Sequence, residues 1–166
     1  MIKLVIKVGV ALVFGLVAIL FVQEGVQVRE RMLAVESAQS EALIAIDYIS
    51  YTLRTNDVIG RVEVSRVEHI NTDGILIRHR TAMDEFDRWI YFENGKLIEA
   101  RAEPSEQPSG AEYIVIANLY DFRVTYDAVR SVISIEVSYE YSGTIQRVTK
   151  VIGMRSDRGD SVIIIL

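Results

Sequence analysis

Cysteine is absent from the 166 residues, which excludes a disulfide framework, thiolate zinc or iron–sulfur sites and cysteine catalysis. Proline and glycine are scarce, two and ten, too few for a collagen-like or low-complexity chain. Histidine occurs only at His69 and His79, on separate expected strands and without metal-ligand spacing. No Gly-x-Ser-x-Gly elbow, Walker loop or dinucleotide fingerprint is present, so nothing points to an enzyme, a bound metal or a cofactor. What is abundant is apolar: 50% of the residues, too many for a disordered chain, in a length that suits one domain with at most an appendage.

Charge is unevenly placed. Residues 1–22 hold Lys3 and Lys7 and no acid, a balance of +2, while the rest has 16 bases (18 minus 2) against 23 acids, or −7. An acidic body repels phosphate backbones and no basic stripe appears, so no nucleic acid is expected as a partner.

Val8 to Val22 is uncharged over fifteen residues, and extending back to Leu4 gives nineteen with Lys7 as the only interruption. As a helix those residues span about 28 Å, close to the ~30 Å of bilayer hydrocarbon. Lys7 lies near one end, from which its ammonium can snorkel to the headgroups. A core helix would show a polar face, and this segment has none. A secretory signal would use the same lysines and apolar run, but Gln23-Glu24-Gly25-Val26-Gln27-Val28 offers no small-x-small cleavage site. The expectation is an uncleaved single-pass anchor in the inner membrane, with the acidic body extracytoplasmic. Its membrane and assembly positions are Leu4, Val8, Leu12, Gly15, Leu16, Ile19, Val22 and Glu24.

Beyond that segment Val28, Met32, Val35, Gln39, Ala42, Ile46, Ile49 and Leu53 recur at spacings of four and three, an apolar stripe broken once at Gln39. The first stop is Thr55-Asn56-Asp57, with Gly60 beyond. Leu4 to Thr55 as one helix would be about 78 Å long. The same spacing suits a coiled coil, yet the pattern ends where strands begin, which favours packing on the chain's own sheet.

After residue 58 the period becomes two. Val62 and Val64 open an alternation, Asn71-Thr72-Asp73-Gly74 reads as a turn, and Ile75–Arg80 as a strand. Trp89–Phe92 and Lys96–Ala100 flank Glu93-Asn94-Gly95, the strongest short-range hairpin signal. Glu103–Gly110, with both prolines, reads as an exposed loop. Tyr120, Phe122, Val124 and Tyr126 line one face of a strand; Ile133, Ile135, Val137, Tyr139 and Tyr141 line the next. Ser142-Gly143 turns the chain into Ile145–Met154, and Ser156–Asp160 turns it again before Val162–Leu166. One polar and one apolar face per strand predicts an antiparallel sheet covered on one side. The predicted architecture is α+β: a long N-terminal helix, membrane half 1–22 and amphipathic half 23–56, packed on an antiparallel sheet of residues 57–166. Val28, Met32, Val35, Ile46, Ile49 and Leu53 form the helix–sheet stripe.

This layout resembles the type IV pilin and pseudopilin superfamily, closest to the J-type minor pseudopilins of type II secretion and the W-type minor pilins. Four stretches carry the resemblance: Ala45–Arg54, like the "hydrophobic–x–x–Leu-Arg" end of their long helix; the hairpin Trp89–Leu97; Ile116–Asp127, like their "V-x-x-F-x-x-x-Y" strand; and Gly153-Met154-Arg155-Ser156. The resemblance implies a non-enzymatic subunit of a type IV pilus or type II secretion-like filament, held in the membrane before assembly. Its implied partners are other pilin or pseudopilin subunits, the bilayer and an assembly-platform membrane protein, and its destination a cell-surface or periplasmic filament. Family members carry a glutamate five residues into the mature chain; Val5 or, after a cut at Gly9, Phe14 stands there. That departure implies a tip subunit, a diverged filament or a chain no longer processed as a pilin. The alternative is a membrane-anchored binding module that does not polymerise and presents the Glu103–Gly110 loop to its ligand.

Asp84, Glu85 and Asp87, and separately Asp157 and Asp160, are oxygen-rich enough for calcium but lack EF-hand spacing, so solvated turn charge is favoured. Arg158-Gly159-Asp160-Ser161 matches an adhesion tripeptide and equally fits a plain turn. Val162–Leu166 is expected either as an internal strand or at a subunit interface.

Overall fold

The computed structural model describes residues 36–108 and 112–155. The chain divides into two units, Met1–Ser37 and Ala38–Leu166, and nearly all described residues belong to the second. Strand accounts for 55% and helix for 17% of the described residues, which makes this a mainly β protein. The expected α+β architecture, a long helix on one sheet, is corrected accordingly: the described residues hold one helix, α1 (36–55), and two antiparallel sheets.

Helix α1 forms on the spacing that the sequence shows. Ala42, Ala45, Ile46, Ile49 and Leu53 are buried at 0–4% exposure, on one face. The helix stops at Asn56, whose backbone N–H and side-chain amide both donate to the carbonyl of Thr52, at 3.2 and 2.8 Å. Burial of an Ile or Leu side chain is worth about 1.5–3 kcal/mol. The exposed ion pair between Asp47 and Lys150, at 3.4 Å, belongs to a class worth about 1 kcal/mol or less. The stripe therefore holds the helix down and the polar contacts set its position.

Strands β1 (Val62–Val67), β2 (Thr72–Arg80), β3 (Glu85–Glu93), β4 (Lys96–Ala102) and β5 (Tyr113–Asn118) form a five-stranded sheet in sequence order. Strands β6 (Asp121–Asp127), β7 (Val132–Tyr141) and β8 (Thr144–Gly153) form a three-stranded one. The tight hairpins sit where local chemistry demands them. Asn94 and Gly95 have φ of 50° and 79°, and Ser142 and Gly143 have 50° and 75°, the positive angles that two-residue hairpins require. The expected turn at Asn71–Gly74 shifts towards the N-terminus: Asn71 has φ of 53° and β2 begins at Thr72. Gly74 lies within that strand, where an added Cβ would stand 3.0 Å from the Ile90 carbonyl and 3.1 Å from both Tyr91 Cβ and Val67 Cγ2.

The second sheet has the expected alternation, with Phe122, Val124, Ile133, Ile135, Val137 and Ile152 packed in one core with the α1 stripe. The larger sheet departs from it, because both of its faces are covered. Ile75, Ile77, Ile90 and Leu97 join the helix core, while Val67, Leu76, Trp89, Tyr91, Ile98 and Ala100 form a second core on the reverse side. The two-proline loop contributes to that reverse side, although its Glu103, Ser105 and Glu106 are exposed. The indole N–H of Trp89 donates to the Glu106 carbonyl at 3.3 Å, the Ser105 N–H donates to Asp87 Oδ2 at 2.8 Å, and Pro108 is buried. This strap (103–108) is anchored on the carboxylate of Asp87, which is 1% exposed. Arg80 Nη2 lies 2.7 Å from Asp87 Oδ1, an ion pair out of hydrogen-bonding alignment.

No helix of the described residues is long and apolar enough to cross a membrane, so the expectation of a single-pass inner-membrane anchor is corrected: the structure does not support it. The one described helix, α1, carries Glu36, Glu41, Asp47 and Arg54, too many charges for a membrane span. The expected anchor positions, Leu4, Val8, Leu12, Gly15, Leu16, Ile19, Val22 and Glu24, lie outside the described residues, as do Val28, Met32 and Val35 of the stripe.

Candidate functional site

Among the described residues the two sheets have four edge strands: β1 and β5 in one, β6 and β8 in the other. An edge presents unpaired N–H and C=O groups, and charges along it commonly deter a further strand. Strand β1 carries Glu63 and Arg66, β6 carries Asp121, Arg123 and Asp127, and β8 carries Arg147 and Lys150. Strand β5 carries none. Its Tyr113, Ile114 and Val115 are 51%, 59% and 44% exposed, three successive apolar residues in solvent. Pairing with β4 shifts register between Leu97 and Ile98, which places a bulge near Ile116. At the far end Glu41 of α1 accepts from the Asn118 backbone N–H and, at 2.9 Å, from its side-chain amide, and so caps the last residue of the edge. The open stretch is therefore Tyr113–Ile116.

Helix α1 carries exposed apolar residues of its own. Tyr48 donates its hydroxyl proton to Glu99 Oε2, and Glu99 is the register partner of Ile114. Ile44 and Tyr51 lie four before and three after Tyr48, on the same side of the helix, and are 51% and 70% exposed. Asp47, three after Ile44 and four before Tyr51, faces β8.

Tyr48, Glu99 and Arg88 make a small polar cluster between α1 and strands β4 and β3. Arg88 Nη1 lies 3.7 Å from Glu99 Oε1, and Arg88 Nε is buried without an acceptor. Burial first, then the hydrogen bond and negative charge of Glu99, push the Tyr48 hydroxyl up to about 12 against the opposing pull of Arg88. A raised pKa means that the fold favours the protonated phenol, so this contribution is complete below pH 10 and is lost as pH rises towards 12. Discounted for partial exposure, it amounts to about 1–2 kcal/mol. Tyr48→Phe is accordingly expected to flatten the loss of stability between pH 9.5 and 11.5. Urea titrations of both proteins across that range check it; equal pH slopes would contradict it. Tyr91, on the reverse face, is also raised, chiefly by burial and then by Glu93.

The residues that suggested calcium do not converge. Asp84 makes a bidentate contact with Arg101 Nη2, at 2.9 and 3.1 Å, while Asp87 is buried against Arg80 and the strap. No group of three or more His, Asp or Glu able to hold a metal occurs among the described residues. His79 stacks on Phe86 at 4.5 Å and Arg101 covers the same ring at 3.9 Å; His69 lies elsewhere, edge-on to Tyr91. Asp157, Asp160, the Arg158–Ser161 segment and Val162–Leu166 lie outside the described residues. Ile46, Ile49 and Leu53 are brought together in the core, whereas Gln39 is exposed.

Sequence reasoning did not single out Ile44, Tyr51 or Tyr113–Val115. The available signal is the uncharged run Tyr113–Tyr120, bounded by Glu112 and Asp121 and longer than the strand it contains. Comparison with family models, with curated proteins and with solved structures finds no match to this chain.

Proposed function

We propose that this chain is a non-enzymatic structural subunit that assembles with its own kind or with related subunits into a filament, of the pilus or secretion type that the sequence resemblance implies. One observation carries the reading: an uncharged edge strand with three exposed apolar residues, on a chain whose helix α1 also exposes Ile44 and Tyr51. A chain that stays alone in water has reason to blunt such an edge, because it templates further pairing. Contiguous exposed apolar surface rimmed by polar groups is the usual mark of a protein contact.

The test is assembly of the purified full-length chain, followed by sedimentation and negative-stain microscopy over a range of concentrations. Ordered polymers are expected, and Ile44→Glu with Tyr51→Glu is expected to raise the concentration needed about tenfold or more without unfolding the chain, since both residues are exposed. A monodisperse monomer at every concentration would favour the non-polymerising binding module instead. Assembly indifferent to both substitutions would remove this surface from the account.

A further inference from the structure

We propose that the apolar run Val162–Leu166 folds back on its own chain and covers Val58, Ile59 and Val129, at the end of the molecule where helix α1 stops. The inference goes beyond the filament reading and does not depend on it. Val58 and Ile59 lie between α1 and β1 and are 50% and 80% exposed; Val129 lies between β6 and β7 and is 95% exposed. Hydrogen bonds tie both loops. The Arg61 N–H donates to the Val58 carbonyl at 3.0 Å, and Asp127 Oδ1 accepts from the N–H groups of Val129 and Arg130, at 3.0 and 3.1 Å. The fold thus holds these apolar side chains out to water, and no described residue covers them.

The exit of the chain selects the occupant. The Met154 N–H donates to the Ser131 carbonyl and the Arg155 N–H to Asp57 Oδ2, both at 2.8 Å. Consecutive residues therefore bind the two loops, one near Val129 and the other beside Val58, and the loops are neighbours. Arg155, the last described residue, stands between them. Beyond the polar link Ser156–Ser161 the sequence becomes Val162-Ile163-Ile164-Ile165-Leu166. Covalent geometry keeps Val162 within about 25 Å of Arg155. A run tethered so closely meets its own loops at an effective concentration on the order of millimolar, far above that of a second copy in dilute solution. Burying apolar surface on both partners then favours the contact. The β8 edge is also near, but Arg147 and Lys150 lie along it and deter a further strand.

The absence of native cysteine makes the test clean. Chains of all 166 residues carrying Ile59→Cys with Ile164→Cys are treated in dilute solution with a short thiol–thiol cross-linker, and the products are separated by mass. A link within one chain is expected, at a yield about tenfold or more above that of Ile44→Cys with Ile164→Cys, whose helix position is also exposed. Val129→Asp is expected to lower the 59–164 yield about threefold or more, because a charge opposes the apolar contact, and to leave Trp89 fluorescence unchanged. A link from Val151→Cys to Ile164→Cys in place of the 59–164 one would overturn the proposal in favour of a strand on β8. Links only between chains would assign the surface to a second copy, and equal yields at positions 59 and 44 would mean that the run does not cover it; either result overturns the proposal.

Discussion

Leu53→Ala is expected to cost about 3 kcal/mol of stability, the middle of the range for a buried leucine truncated in a core. Leu53 is fully buried in the core that α1 shares with both sheets, alongside Ile49, Ile77 and Ile135. The void would open where three elements meet, and each is held by neighbours that cannot all move inwards together. Chemical denaturation followed by circular dichroism checks it, with Tyr51→Ala as the control on the same helix. Tyr51 is 70% exposed, so its truncation is expected to change stability by less than about 0.5 kcal/mol. Equal losses for the two variants would mean that α1 buries a different face.

Asp87→Ala is expected to cost about 2–3 kcal/mol and to loosen the strap. The carboxylate accepts from the Ser105 N–H and neutralises Arg80, so its removal leaves a backbone donor without an acceptor. Arg80 is 34% exposed and can turn to water, which keeps the loss below that of a fully buried pair. Trp89, the only tryptophan, donates to the strap at Glu106 and reports on it directly. Its fluorescence is expected to shift to the red in Asp87→Ala and much less in Asp87→Asn, which keeps an oxygen for Ser105. An unshifted spectrum with undiminished stability would show that the strap is held without Asp87.

These two positions differ in how visible they were beforehand. Leu53 is legible because helix periodicity is local: side chains at spacings of three and four share a face whatever lies opposite. The hairpins at Asn94-Gly95 and Ser142-Gly143 are legible for the same reason, since positive φ is a property of two residues. Asp87 and the strap were not legible. Asp87 belongs to a visibly acidic cluster, and only the path of a loop eighteen residues later turns it into a buried anchor.

The division into two sheets was hidden too, because alternation shows which residues share a face and not which strand lies beside which. A partial clue stood in Ile75-Leu76-Ile77 and Trp89-Ile90-Tyr91, unbroken apolar triplets that half-covered strands do not need. Tyr113-Ile114-Val115 gives the same signal with the opposite outcome, buried on neither side, and composition alone cannot separate the two. The membrane expectation rested on Leu4 to Val22 and on extending one helix through Thr55, whereas α1 owes its burial to two β-sheets.

Within each sheet every strand pairs with its neighbour in sequence, so both are meanders, with the strap between β4 and β5 as the longest connection. Helix α1 is the exception: Glu41 meets Asn118 across 77 residues and Asp47 meets Lys150 across 103. Loop closure of that length opposes early contact, whereas hairpins form quickly. The expected order is therefore two sheets first and the helix last, an order that pulsed hydrogen exchange resolves. Until that final docking the common core stands open, and a newly made chain is at its most adhesive just before it is complete.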